Sequence, residues 1–328
     1  MGDQDRAELC FPQLLNVSCR KPKTSQSDIV LMYLLFFTSV FTVTLNLLVI
    51  ISVSHFRQLH TPTNLLILSL AVSDFLFGLM VTPLQAYQLT SCWFLGDIIC
   101  SLYIYVSSII LGASIGNMIL ISVDRYVAIC EPLHYPTRVT VTRAKMCVCM
   151  CWTCSVVYNG LILKDFLTEP GQYRPCYGLC AGGADDISGI IDNVLSSLAP
   201  VAVIIILYMR VFVTAVAQAR AMHSHVAAVT LKTSGTVTTK KSELKAARTL
   251  GVVVLVFLMC YGPYFCLSLI QLDPLSGLPA ASGVFLLFMG PCLNPVIYAL
   301  FYPWFRKALR LIFSLQILQP GSRETNML

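Results

Sequence analysis

Two carboxylates and one acid–base pair lie inside long apolar stretches. Asp74 sits in LLILSLAVSDFLFGL, Asp192 in IIDNVLSSLAPVAVIIILYMRVFV, and Asp124-Arg125-Tyr126 closes the run CSLYIYVSSIILGASIGNMILISVDRY. A carboxylate in hydrocarbon costs ~2.5–3.5 kcal/mol on insertion scales, so it faces the interior of a bundle and finds a partner there. For Asp74 two partners offer themselves. One is a structural set shared with Asn46 and Asn294; the other is a cation such as Na+, with Ser114 adding an oxygen. Asp192 stands eight residues before Pro200 and on one helical stripe with Ser196. A buried carboxylate takes up a proton unless a cation joins it, and a ligand ammonium is such a cation. Tyr261, Tyr264, Phe265 and Phe288 could wall an ammonium with π faces, each contact worth ~0.5–2 kcal/mol. Ser107 and Ser108, with Leu111 beside them, would face the far end of the ligand. The bland alternative is that Asp192 bonds a neighbouring hydroxyl or reaches the outer surface, and that the aromatic stripe is ordinary core.

The elements that must carry these groups are membrane helices. Of the 328 residues 56% are hydrophobic and only 12% are charged, with a mean hydropathy of +0.75. A soluble domain carries about a quarter charged residues. Apolar spans fall at residues 29–53, 65–89, 98–123, 146–163, 187–213, 249–272 and 280–301, each long enough to cross ~30 Å of hydrocarbon at ~1.5 Å per residue. The fold class expected is an all-α bundle of seven transmembrane helices. It divides into an outer tail (1–28), the bundle (29–301) and an inner tail (302–328). Residues 1–28 are polar and hold no apolar signal core, so the first span acts as an uncleaved anchor. Sixteen of the 22 Lys and Arg residues fall on the side of Arg125 and six on the other, which puts the amino terminus outside and the carboxyl terminus inside. The net charge of +6 reflects that bias and an anionic inner leaflet. The basic residues are dispersed over several loops, so nucleic acid is not a partner.

Fourteen cysteines divide by side. Eight lie in spans or on the inner side, where they serve as small apolar residues. Cys10, Cys19, Cys92, Cys100, Cys176 and Cys180 lie outside, where oxidation is allowed. No metal spacing appears, since Cys176-x-x-x-Cys180 lacks a second pair or a histidine. Asn16-Val17-Ser18 is a lumenal glycosylation sequon. Pro83, Pro200 and Pro263 are expected to kink their spans. Past the last span, Trp304, Ala308, Leu311 and Ile312 alternate with Arg306, Lys307 and Arg310 as in a helix lying on the membrane. No cysteine follows Cys292 to carry a lipid.

Taken together, Asn46, Asp74, Cys100, Asp124-Arg125-Tyr126, Trp152, Pro200, Tyr208, Phe257, Pro263 and Asn294-Pro295-x-x-Tyr298 resemble a rhodopsin-like G protein-coupled receptor over nearly the whole chain. The run Ser54–Leu76, the ending with Tyr302, Trp304 and Phe305, and the pair of outer-loop cysteines resemble the trace amine-associated receptors more closely. The resemblance implies a Cys100–Cys180 disulfide, a second from Cys19 to Cys176, and Cys10 and Cys92 either paired or free. It also implies an inner end held shut by Arg125 with Asp124 and, across the bundle, Glu243. On activation Arg125 would be released toward Tyr208 and Tyr298, opening a groove for a heterotrimeric G protein of the stimulatory kind. Aminergic relatives hold the ligand ammonium with an aspartate seven residues after the first cysteine of span three; here that residue is Ser107. Their span-seven Asn-Ser pair is Gly290-Pro291 here, their span-six tryptophan is Tyr261 and their span-seven tyrosine is Phe288. Asp192 stands where many have serine or threonine. Fish members with this exchange make the expected receptor an olfactory amine sensor with its salt bridge moved to the fifth span.

Two other readings stay open on sequence. The same fold could serve a non-amine ligand, with Asp192 structural. A transporter could use Asp74 and Asp192 as relay sites, although no inverted repeat or interrupted helix pair is visible. An enzyme is not expected, since no nucleophile–base pair or metal set appears.

Overall fold

The computed structural model describes residues 8–22, 24–171, 175–181, 194–228, 251–266 and 278–327. Among these, six helices are long and apolar enough to cross a membrane, and a shorter apolar helix covers Gly251–Cys266. In chain order they are α1 (Gln26–His55), α2 (Pro62–Thr90), α3 (Gly96–Cys130), α4 (Val141–Ile162), α5 (Ala199–Ala228), α6 (Gly251–Cys266) and α7 (Leu278–Phe301). An amphipathic helix α8 (Pro303–Phe313) follows and buries Trp304, Phe305 and Ala308. The sequence boundaries of the first four spans lie inside these helices or end within a residue of them, because the helices run past the apolar windows at one or both ends. Asp192 and Glu243 lie outside the described residues.

Local chemistry starts and stops the helices. Ser25 accepts from the Asp28 amide while Asp28 accepts from the Ser25 amide at 2.8 Å, a capping box that fixes the entry of α1. Thr61 and Thr140 cap α2 and α4 with one bond each, accepting from the amides of Asn64 and Arg143. In α2 the irregularity expected at Pro83 takes the form of a π-turn over Phe77–Val81, just before the proline. The Gly78 carbonyl accepts from the Ser39 hydroxyl of α1 at 2.7 Å, because the proline nitrogen five residues on has no proton to give. A Cβ on Gly78 would stand 2.8 Å from Thr42 Cγ2, so only glycine lets α1 and α2 approach there.

Contrary to expectation, Asn46 is not part of the Asp74 set. Its Nδ2 donates to the Thr42 carbonyl at 2.9 Å and to the Pro291 carbonyl at 3.0 Å. Pro295 lies four residues after Pro291 inside α7, so the Pro291 carbonyl has lost its helical donor and Asn46 replaces it. Sequence spacing does not reveal that exchange, which depends on how α1 lies against α7.

α3 is the central helix, in contact with α2, α4 and α5. Against α4 it presents Gly112 and Gly116, one turn apart. A Cβ on the first would meet Ser155 Oγ at 2.5 Å, and on the second Cys151 Sγ at 2.3 Å. Ser155 donates to the Ile109 carbonyl at 2.9 Å, and Asn159 continues the seam with a bond to the Ser108 carbonyl at 3.5 Å. Small residues that let backbones close, with polar side chains bridging them, are how membrane helices associate without a hydrophobic drive. Trp152, on the other side of α4, donates to Ser69 of α2 at 3.1 Å.

The outer end is stapled by three disulfides: Cys100–Cys180, Cys19–Cys176 and Cys10–Cys92. The first two are the pairs implied by the family resemblance, and the third settles the remaining two cysteines as a pair. The tail crosses to the second outer loop through a bridge at Ser18 and Tyr177, with Cys19 N donating to Tyr177 O at 2.8 Å and Tyr177 N to Val17 O at 2.7 Å. Gly178, at φ +105°, has its Cα so close to Cys10 that a Cβ would lie 2.6 Å from the Cys10 Cβ. Its carbonyl accepts from Trp93 N at 2.8 Å. Asn16 is exposed on this cap. Replacing both Cys10 and Cys92 with serine is expected to lower thermal stability by about 2–3 kcal/mol. The other two disulfides still close the cap, so the protein should still fold. A melting measurement on the purified protein checks this.

Candidate functional site

Two regions hold the residues singled out from sequence: an outer region between α3, α5, α6 and α7, and an inner one around Arg125.

In the outer region Ser107 occupies the aminergic aspartate position, and its hydroxyl donates to the Tyr103 carbonyl one turn earlier at 2.6 Å. The Tyr103 hydroxyl reaches Gln85 of α2 at 3.2 Å. Ser107 therefore presents no free proton and no charge, only acceptor capacity. Ser108 and Leu111 face a different direction. They line a cavity of about 520 Å³ between α3, α4 and the segment leading into α5, with Gly112, Ile115, Ser155, Asn159, Ser196 and Pro200; Ser107 and the aromatic residues of α6 and α7 do not line it. Among the described residues its lining carries no charged side chain. Asp192 precedes Ser196 by four positions in the sequence.

The aromatic set divides in the same way. Tyr261 and Phe288 are 3% and 5% exposed, so they form a packed floor rather than an open wall. Tyr261 stacks on Phe257 with centroids 4.2 Å apart, and Phe288 lies against Phe77 at 5.0 Å. Gly290 lets this happen, since a Cβ there would come within 3.3 Å of the Tyr261 ring. The two departures from the relatives, tyrosine in span six and glycine in span seven, are thus one packing unit. Tyr264 and Phe265 are half-buried above the floor and meet edge to face at 5.9 Å.

Below the floor Asn294 donates to Asp74 Oδ2 at 2.8 Å. Ser114 stands beside both Asp74 and Tyr261. Asn46 Oδ1 is buried without a donor among the described residues, and its residue bonds α7 less than a turn from Asn294. One carboxylate with hydroxyl and amide oxygens is a donor set that fits Na+, a hard cation that takes oxygen ligands. Asp74 and Ser114 would hold the ion, which would neutralise the carboxylate.

The inner region is a closed lock. Asp124 Oδ2 accepts from Arg125 Nε at 3.0 Å and from Thr63 at 2.9 Å, and Asp124 Oδ1 accepts from the Tyr135 hydroxyl at 3.0 Å. Arg125 also donates to Thr63 Oγ1 at 2.8 Å. Both charged side chains are almost fully enclosed, at 8% and 3% exposure. Burial, then the neighbouring Asp124 charge, raise the Tyr135 phenol above its ordinary range, so it stays a neutral donor. Thr63, on the first turn of α2, and Tyr135, in the second inner loop, were not singled out from sequence. The Tyr-Pro of the loop and the Thr-Pro-Thr opening α2 hold no signal until the fold brings them to Asp124. Tyr126 does not join the lock. It packs with Ile129, Val211 and Ala215 against α5.

Three buried hydroxyls around this lock have no partner among the described residues: Tyr208, Tyr298 and Tyr302. Tyr208 and Tyr302 lie close enough to interact electrostatically with Arg125. Burial pushes the Tyr302 phenol up to about 12 against the pull of that guanidinium, so it too stays protonated.

Sequence comparison decides the family. Residues 45–298 match the family model described as 7 transmembrane receptor (rhodopsin family). The chain is 35% identical over 343 residues to trace amine-associated receptor 13c of Danio rerio, covering 99% of this chain and 97% of that one. It belongs to the trace amine-associated receptor family. Receptor 8b of Rattus norvegicus is 36% identical with the same coverage, and receptor 7e of Mus musculus is 37% identical over 98% and 92% of the two chains. The protein is therefore a class A G protein-coupled receptor of the trace amine-associated family. It is a multi-pass plasma-membrane protein with its amino terminus outside, and it transduces signals rather than catalysing a reaction.

Proposed function

We propose that this trace amine-associated receptor is an olfactory-type sensor of small amines, with Asp192 as the ligand's counter-ion and a stimulatory heterotrimeric G protein as its partner. It crosses the membrane seven times over residues 29–301, with the surface helix and tail beyond. The observation that carries the reading is an accounting of intramembrane acids. Asp74 and Asp124 both have partners within the protein. Ser107, at the position of the usual counter-ion, is neutral and bonded to its own helix. An ammonium entering the outer region is left with Asp192, and the half-buried Tyr264 and Phe265 supply π faces. Ser108 and Leu111, lining the cavity beside Ser196, face the remainder of the ligand.

The test is a panel of volatile amines on cells expressing the receptor and its Asp192→Asn variant at matched surface levels, with cAMP as the readout. Removing the charge should weaken amine potency at least about 30-fold, in line with the ~2–5 kcal/mol cost of truncating one partner of a buried charge pair. Undiminished amine responses in the variant would return Asp192 to a structural role, whereas an unaltered receptor silent to every amine would favour a non-amine ligand.

A further inference from the structure

The last residues of the chain do not trail away from the bundle. After α8 the backbone turns at Leu315 (φ 57°) and again at Gly321 (φ +84°), then runs back beneath α1. Four contacts from different side chains hold it. Ser322 donates its proton to the Ile317 carbonyl at 2.7 Å, so His55 Nε2, 2.9 Å from the same oxygen, is the donor in that pair. Glu324 pairs with Arg57 at 3.3 Å. Lys307 of α8 donates to the Asn326 carbonyl. Gln58 Oε1 accepts from the Met327 amide at 2.8 Å, and the Met327 side chain is 2% exposed, within the main core cluster.

We infer that the first inner loop and α8 form a peptide-docking site, occupied in cis by the receptor's own segment Ser322–Met327. The chemistry of the site defines its occupant: a short peptide that opens with a single 3-10 turn and carries an acidic residue three positions before a large apolar one. Arg57 reads the acid, Gln58 and Lys307 read the backbone on either side, and the bundle takes the apolar side chain. The exposed Arg57–Glu324 pair contributes little by itself; burial of Met327 stabilises the docked tail more. While docked, the tail has the Ser322 hydroxyl engaged in two hydrogen bonds. Arg57, Gln58 and Lys307 stay exposed in the docked state, so what docking withdraws from a cytoplasmic partner is the Met327 side chain and its amide.

Amide hydrogen exchange on the full-length purified receptor tests this. Residues 325–327 should exchange more slowly than a free peptide of the same sequence. Met327→Asp should speed their exchange about 10- to 100-fold, and Gln58→Ala should release the Met327 amide, with protection in α1–α4 unchanged in both. In a second arm, a labelled peptide of residues 321–328 should bind the Met327→Asp receptor but not the wild type, whose site is filled. Exchange at the free-peptide rate in the wild type, or unaltered protection in Met327→Asp, would overturn the inference.

Discussion

Alanine in place of Asp124 is expected to make the receptor signal without ligand. In the closed state Asp124 gathers donors from Arg125, Thr63 and Tyr135. Removing it leaves an enclosed guanidinium with no counter-charge, a loss of about 3–5 kcal/mol when one partner of a buried pair is taken away. That cost falls on the closed state alone. A rearranged inner end gives Arg125 the hydroxyls of Tyr208, Tyr298 and Tyr302, which are buried here without partners among the described residues. A shift of that size changes the population ratio by roughly two to three orders of magnitude. Nucleotide exchange on the G protein, measured in membranes without amine, should rise to a large fraction of the ligand-stimulated level. Tyr135→Phe removes one donor of the lock and should raise basal exchange by about ten-fold or less, in keeping with ~1 kcal/mol for one hydrogen bond. Basal exchange that stays at wild-type level in a well-expressed Asp124→Ala receptor would mean the lock does not hold the inactive state.

The second large effect concerns assembly. Gly116→Leu should remove most of the receptor from the cell surface, because even its Cβ would sit 2.3 Å from Cys151 Sγ. The Cys151 thiol can turn aside for the Cβ, but the rest of the leucine would push α4 away from α3, breaking the bonds of Ser155 to Ile109 and of Asn159 to Ser108. Overpacking of this kind costs about 1–3 kcal/mol or more, a large share of a marginal stability. A paired change separates the mechanism from a general intolerance of α3. Gly116→Ala should lower surface expression, and adding Cys151→Gly should restore it by removing the atom in the way. Failure of that rescue would place the importance of Gly116 elsewhere.

Much of the bundle was legible from sequence because its physics is local. Hydrocarbon demands an uninterrupted apolar helix of fixed length, so the spans, their orientation and the amphipathic α8 follow from windows of about twenty residues. The exchange at Ser107 and the second acid at Asp192 were also readable, because each is a charge gained or lost at a countable distance from a fixed landmark. The Cys100–Cys180 and Cys19–Cys176 pairs came from family resemblance, and a lone cysteine count would have left every pairing open.

What the fold alone decided are partnerships between segments far apart in the chain. Asn46 belongs to the Pro291 carbonyl and not to Asp74, because a proline four residues further on removes a donor that only a neighbouring helix can replace. Thr63 and Tyr135 became part of the inner lock, and Tyr126 left it, by the way α2, α3, α5 and the second inner loop meet. Tyr261 and Phe288 became a floor because Gly290 makes room for a ring. Sequence determines which groups cannot be left alone in a membrane; the packing of one helix on another determines which group answers each of them.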